Sequence, residues 1–327
     1  MVSRSTLLDV NLNDKIEKRF YLYDEREKTS EISCMEAPVN FCTCNKGERP
    51  MPLIKKGIKK KMSKLEQLMQ LNALLLAEMP RYKPQALQFD QTYSAQRRLL
   101  RSLMNVRPPM PLDEGFLRLQ DAFLGQEVRE KGLVHLAQLP PTKKNSKLHL
   151  WQGDITTLAV DAIVNAANSA LLGCFLPCHG CIDNAIHSMA GLQLRNECAC
   201  IMQEQAHEEE TGKAKITAGY NLPCRYVLHT VGPIITGELT QNDCDLLSSA
   251  YRECLTLAAE KHLHSVAFCC ISTGEFRFPN QRAAEIAIET VTTFLSTTTS
   301  EIEVIFNVFK EIDHQIYRNL LGEDCKN

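Results

Sequence analysis

Apolar positions along the chain follow two rhythms, and the change between them falls near residue 147. From Lys64 to about Glu130 the spacing is helical: Leu65, Leu68, Met69, Leu75 and Leu76 form one stripe, and Leu99, Leu100, Leu103 and Met104 form another. The second stripe stops ahead of Arg107-Pro108-Pro109, because a residue before proline is driven out of the helical region. A third helix is expected from Asp113, which can cap it, with Phe116, Leu119 and Phe123 on one face. From Leu148 onward, short apolar runs at residues 148–151, 162–165, 226–231, 266–271 and 304–308 read as buried strands. Between and after them, residues 183–195, 243–262, 279–295 and 313–321 read as helices. This alternation predicts an α/β fold, a mixed or mostly parallel sheet covered by helices on both faces. Ligands of such folds sit at the carboxyl ends of the strands, so the loops there are the ones to read for chemistry.

Residues 1–61 join neither rhythm. They are polar, carry no sustained apolar period, and lead into a basic run of Lys55, Lys56, Lys59, Lys60, Lys61 and Lys64. A weakly ordered extension is expected there, with the lysines a solvated face rather than a nucleic-acid patch. The expected organisation is an extension over 1–61, a helical subdomain over 62–146 and the α/β domain over 147–327.

Composition narrows the class. With 44% hydrophobic and 23% charged residues, the 327-residue chain has enough apolar material for packed cores and is not disordered or fibrous. A net charge of −2 supplies no global field for nucleic acid or anionic membrane. No run of about 18 apolar residues and no signal-peptide core are present, so a soluble, cytoplasmic protein is expected. Its 14 cysteines are about 4% of the chain, too few for a disulfide scaffold, and reduced thiols are expected. Most stand singly beside apolar residues and read as small core hydrophobes. Cys34, Cys42 and Cys44 lack paired spacing and a nearby histidine, so they do not read as a zinc site.

Four loops carry candidate chemistry. Gly153-Asp154-Ile155-Thr156 follows the first strand, where Asp154 can bind a ligand or merely cap a short helix. Asn165-Ala166-Ala167-Asn168-Ser169 ends the next strand, and two side-chain amides there can hold hydroxyls or form a turn. Residues 173–187 then place Cys174, His179 and Cys181 within eight positions, two sulfurs and an imidazole suited to tetrahedral zinc. Three protein ligands leave a coordination position open, as catalytic sites do; Cys178 competes as a fourth, which would close a structural site. Asp183 falls in the first turn of the following helix, where the dipole favours its charge, and His187 reads as a packed core histidine. Ser272-Thr273-Gly274-Glu275-Phe276-Arg277-Phe278-Pro279 links a strand to a helix that opens on proline, a cradle of backbone N–H groups for phosphate.

Taken in order from about Lys147 to Leu321, these segments resemble a macrodomain, the module that binds ADP-ribose. The insertion G-C-F-x-P-x-H-x-C-I-D-N, together with L-R-S-L-M-N-V-R-P-P at residues 100–109, resembles the zinc-dependent macrodomains found beside sirtuin-type ADP-ribosyltransferases in bacteria and fungi. The resemblance implies a three-layer α/β/α sandwich and a hydrolase that removes mono-ADP-ribose from protein side chains. It places the adenine amino group on Asp154 beside the Ile155 backbone. It places the pyrophosphate at Ser272, Thr273, Gly274, Glu275 and Phe276, and a stacking ring at Phe309. The distal ribose falls to Asn168 and Asp183, the residues implied in catalysis. Zn2+ falls to Cys174, His179 and Cys181, while Cys178 occupies a position the family leaves variable. Arg277 departs from the family, in which glycine is common; a cation there would contact phosphate or narrow the groove. The implied partners are a mono-ADP-ribosylated protein, such as a lipoyl-carrier protein, and a sirtuin-type ADP-ribosyltransferase. The alternative is a non-catalytic ADP-ribose reader with a structural zinc.

Overall fold

The protein is described from a computed structural model over residues 62–322. The extension 1–61, with Cys34, Cys42, Cys44 and most of the basic run, lies outside the described residues. The chain forms two units: residues up to Phe123 together with Leu176–Cys178, and Leu124–Phe175 together with His179 onward.

The first unit is helical. Helix α1 (Lys64–Glu78) begins at a capping box in which the Ser63 hydroxyl accepts from the Glu66 N–H at 3.2 Å and the Glu66 carboxylate accepts from the Ser63 N–H at 2.7 Å. It buries Leu68, Leu71, Asn72 and Leu75. Met69, expected in the stripe, is instead 41% exposed, since it sits about 100° round the helix from Leu68. After the one-turn α2 (Lys83–Ala86), helix α3 (Tyr93–Val106) is capped by Thr92 and buries Leu99, Leu100, Leu103 and Met104 as expected. It ends at Arg107, held extended at ψ 120° before Pro108. The Arg107 side chain is buried and donates to Glu78 at 2.6 Å and to the Pro111 carbonyl at 3.0 Å. Helix α4 (Glu114–Lys131) begins where the Asp113 carboxylate accepts from the Phe116 N–H, and the unit boundary falls within it, after Phe123.

The second unit is the expected α/β fold. Six strands form a mixed sheet in the order β2 (Leu148–Gln152), β8 (Glu303–Val308), β7 (Ser265–Phe268), β4 (Ala162–Ala167), β6 (Tyr226–Val231) and β5 (Ala214–Ala218). All neighbours are parallel except β5, which runs antiparallel to β6 at the edge. A short pair, β1 (Val134–His135) with β3 (Leu158–Ala159), lies outside it. The central strands are apolar on both faces: Ile163, Val164, Val227, Leu228, Val266, Ala267, Val304 and Ile305 are all fully buried. The helices covering them are α5 (Ile182–Ala190), α6 (Leu192–Gln205), α7 (Gln241–Glu260), α8 (Asn280–Thr297) and α9 (Glu311–Leu320).

Three details depart from the sequence pattern. Strand β5 was not expected, because Ala214–Ala218 is only partly buried and shows no apolar run. The helix expected over 183–195 is two helices, separated at Gly191, whose φ of 96° no helix can contain. The strand expected over 266–271 ends at Phe268, and Ser272 has already entered the left-handed region at φ 64°.

Candidate active site

Register brings the chemical loops to one end of the sheet. Gln152 lies opposite Val308, Phe268 opposite Phe306, and Ala167 opposite Val231. These parallel strands therefore release loops 153–157, 168–181, 232–239 and 269–279, and Phe309, at the same edge.

The loop after β4 builds a sulfur–nitrogen cluster. Asn168 uses both atoms of its amide on this loop: Oδ1 accepts from the Ala170 N–H at 3.1 Å, and Nδ2 donates to the Gly173 carbonyl at 3.3 Å. Gly173 has φ 78° and presses on the His187 ring, where a Cβ would come within 2.8 Å. Arg195 donates from Nε to the Leu172 carbonyl at 2.7 Å and lays its guanidinium 4.3 Å from the centre of the Phe175 ring, bracing the chain on either side of Cys174. Cys181 caps α5, its sulfur accepting from the Asn184 N–H at 3.4 Å. The ligand atoms of Cys174, His179 and Cys181 consequently lie within 4.8 Å of one another, with His179 Nδ1 3.6 Å from Cys174 Sγ. The other ring nitrogen, Nε2, faces the Glu275 carboxylate at 3.7 Å. Donation of its S–H to the Cys174 sulfur, together with burial, pushes the Cys181 thiol far above its ordinary value, since two thiolates cannot stand side by side unpaired. A divalent cation relieves that repulsion, so the donor set fits zinc. Cys178 is not in the cluster: in the helical unit its sulfur meets the Ser102 hydroxyl at 3.4 Å and the Arg98 carbonyl at 3.6 Å.

Asp183, in the first turn of α5, is buried. Its Oδ1 accepts from Asn165 Nδ2 at 2.7 Å and lies 3.5 Å from His187 Nε2. Burial raises its carboxyl to about 7; the Asn165 bond opposes this and the Cys174 sulfur adds to it. The helix start favours the charge, but desolvation by burial is the larger effect here. His187 is the buried histidine expected, with both ring nitrogens lacking a hydrogen-bond partner. It forms a second buried cluster with Cys198 and His229, but His229 already meets Asn165 through Nδ1 and Thr217 through Nε2.

In the loop after β2, Gly153 passes under the Trp151 indole, where a Cβ would fall 2.4 Å from the ring, and its carbonyl accepts from Asn307 at 3.0 Å. Asp154 caps the following single turn through Thr156, at 3.0 Å to the N–H and 2.6 Å to the hydroxyl. Its second oxygen is held by Lys131 at 3.1 Å. Burial pushes the Asp154 carboxyl up, but Thr156 and Lys131 together bring it below its ordinary value, so it stays a carboxylate. Ile155 itself is buried, whereas Phe309 offers a ring that is 75% exposed. In the loop after β7, Arg277 holds φ 59°, a conformation that suits glycine, and its N–H closes a turn onto the Gly274 carbonyl at 3.1 Å. The Ser272 hydroxyl is buried without a partner, Thr273 donates to the Cys270 carbonyl at 3.0 Å, and Gly274 has open space above it. The Phe276 carbonyl accepts from the Ile235 N–H at 2.9 Å, tying this loop to the one after β6.

Lys131, Arg195 and His229 escaped the sequence reading, and Asn165, read there as a strand-end amide for hydroxyls or a turn, serves Asp183 instead. Each lies 18 or more residues from the group it serves, and a single sequence carries no mark of such a pairing.

The match to known proteins follows the same residues. A family model described as Macro domain covers residues 164–287, from β4 into α8. A protein of Treponema medium, named protein-ADP-ribose hydrolase, is 54% identical over 263 residues, spanning 80% of this chain and 100% of its own length. The chain belongs to the macrodomain family. A Staphylococcus aureus protein of the same name is 48% identical over 229 residues, 70% of this macrodomain chain and 85% of its own. The crystal structure of a Trypanosoma brucei macrodomain in complex with ADP-ribose is 32% identical, with a TM-score of 0.54, covering 68% of this chain and 95% of that one. Among the described residues, no helix is long and apolar enough to cross a membrane.

Proposed function

We propose that this macrodomain is a zinc-dependent, cytoplasmic hydrolase that removes mono-ADP-ribose from modified protein side chains and releases ADP-ribose. The observation that carries the reading is the convergence of Cys174, His179 and Cys181 beside the buried Asp183. It is supported by two relatives, 54% and 48% identical, named protein-ADP-ribose hydrolase. ADP-ribose would lie along the groove. The Asp154 carboxylate receives the adenine amino group beside the Ile155 backbone, and Phe309 stacks on the base. Ser272, Thr273, Gly274, Glu275 and Phe276 surround the pyrophosphate, whose charge the backbone N–H groups and the helix following Pro279 favour. Asn168 and Asp183 hold the distal ribose. Held by Cys174, His179 and Cys181, zinc would supply Lewis-acid polarisation of a ribose hydroxyl or of the scissile linkage. Asp183, with a pKa raised to about 7, can orient the attacking nucleophile and take its proton near neutrality. The modified lipoyl-carrier protein and sirtuin-type transferase implied by the resemblance belong to the same proposal.

The test combines metal analysis with mass spectrometry of a protein mono-ADP-ribosylated on an acidic residue, incubated with wild-type protein, chelated protein and Cys181→Ala. One zinc per chain, hydrolysis lost in the last two samples and ADP-ribose binding retained would support the reading. Full hydrolysis by metal-free protein would refute the zinc mechanism. Binding without hydrolysis by the zinc-loaded wild type would make the protein a reader.

A further inference from the structure

A buried chain of hydrogen bonds runs from Asp183 through the sheet to its edge, across four elements. Asn165 on β4 reaches Asp183 Oδ1 at 2.7 Å and His229 Nδ1 on β6 at 3.2 Å with the same amide nitrogen. His229 Nε2 meets the Thr217 hydroxyl on β5 at 2.9 Å, and that hydroxyl lies 3.3 Å from the Ala218 carbonyl. Asn165, His229 and Thr217 are all at most 2% exposed, so solvent cannot substitute for any partner. The proton positions follow from the chemistry. The Ala218 carbonyl can only accept, so the Thr217 hydroxyl donates to it and takes the His229 Nε2 proton. Nδ1 is then a bare lone pair, and only an N–H can face it. Burial lowers the His229 ring to about 3, which keeps that lone pair available. Turning the Asn165 amide over would set its oxygen against both the lone pair and the Asp183 carboxylate. In the observed orientation that oxygen is buried without a partner, a cost the fold carries to keep the nitrogen where it is.

We propose that His229 is a positioning residue: its Nδ1 lone pair locks the Asn165 amide in the one orientation that presents an N–H to Asp183. This rests on the reading of Asp183 as the group that handles the nucleophile. His229 touches neither substrate nor metal ligand; it acts only through Asn165. Thr217 sets its tautomer, and Cys198, at 3.8 Å from Nε2, completes the pocket.

Two polar variants separate positioning from packing. His229→Asn carries an acceptor where Nδ1 stood, whereas His229→Gln carries one where Nε2 stood. In the zinc-loaded full chain, His229→Gln should lower kcat by about 10–100-fold, the size of losing one well-aligned hydrogen bond of about 1.4–2.7 kcal/mol at the group that handles the nucleophile, with zinc content and ADP-ribose affinity unchanged. His229→Asn should recover most of that loss. Nitrogen-15 spectra of the wild-type histidines should show His229 protonated at Nε2 and bare at Nδ1. Equal kcat in the two variants, or a proton on Nδ1, would overturn the proposal. Absence of hydrolysis by wild-type protein would refute the proposed function instead, while the nitrogen spectra would still judge the positioning chain.

Discussion

Keeping His229 neutral makes the stability of the α/β unit depend on pH in a calculable way. The ring titrates at about 3 in the folded protein, against the ordinary 6.5 taken for the unfolded chain. The unfolded chain therefore binds a proton first as pH falls, and the stability supplied by the neutral ring is present above about 6.5 and lost below it. The slope approaches about 1.4 kcal/mol per pH unit, so lowering pH from about 7 to about 5 removes about 2 kcal/mol. Other groups titrate over the same range, notably Asp183, whose raised pKa acts in the opposite sense. The perturbation is therefore His229→Asn, which abolishes the ring titration and leaves those groups in place. Urea unfolding of both proteins, followed by fluorescence of Trp151, the single tryptophan and part of β2, would be measured across that range. The wild-type stability should fall relative to the variant by about 2 kcal/mol, whatever the offset between them at neutral pH. A difference that stays constant with pH would refute the neutral buried ring and the tautomer argument built on it.

Other outcomes follow from separate parts of the molecule. Glu78→Ala removes the carboxylate that accepts from the buried Arg107 guanidinium at 2.6 Å; melting of the full chain should show a loss of about 2–4 kcal/mol, below the 3–5 of a fully buried pair because Glu78 is partly exposed. Gly173→Ala forces a side chain onto φ 78° and into the His187 ring, so calorimetry should show about 1–3 kcal/mol of destabilisation, and zinc competition should show weakened binding. Asp154→Ala should weaken ADP-ribose binding by titration calorimetry by about 1.5–3 kcal/mol, the range of a hydrogen bond to a charged group. Phe309→Ala should cost about 1–3 kcal/mol in the same titration, and an unchanged affinity would remove it from the adenine site.

Much of the architecture could be read from local chemistry. The helical stripes, the Asp113 cap, the Pro108 stop and the buried parallel strands all depend on residues within a few positions of one another. The spacing of Cys174, His179 and Cys181 likewise foretold the sulfur–nitrogen cluster, because six intervening residues of loop can bring such close neighbours together whatever surrounds them. Strand β5 was hidden, since an edge strand needs only one partner and little burial, and so has no apolar run. Cys178 stayed a competing ligand in the sequence, set apart only by resemblance, because its sulfur and N–H are held by residues of a helix 73 to 80 positions earlier. The raised pKa of Asp183 was hidden for the same reason: the helix dipole is local, but burial is set by everything packed around it. Lys131 on Asp154, Arg195 on the Cys174 loop and the Asp183–Asn165–His229–Thr217 chain are contacts across the fold. The sequence by itself determined which groups were chemically able to hold a metal, a phosphate or a base. Only the tertiary structure decided which of them meet, which stay charged and in which orientation they are held, because desolvation and hydrogen-bond geometry are properties of the surroundings rather than of the residue.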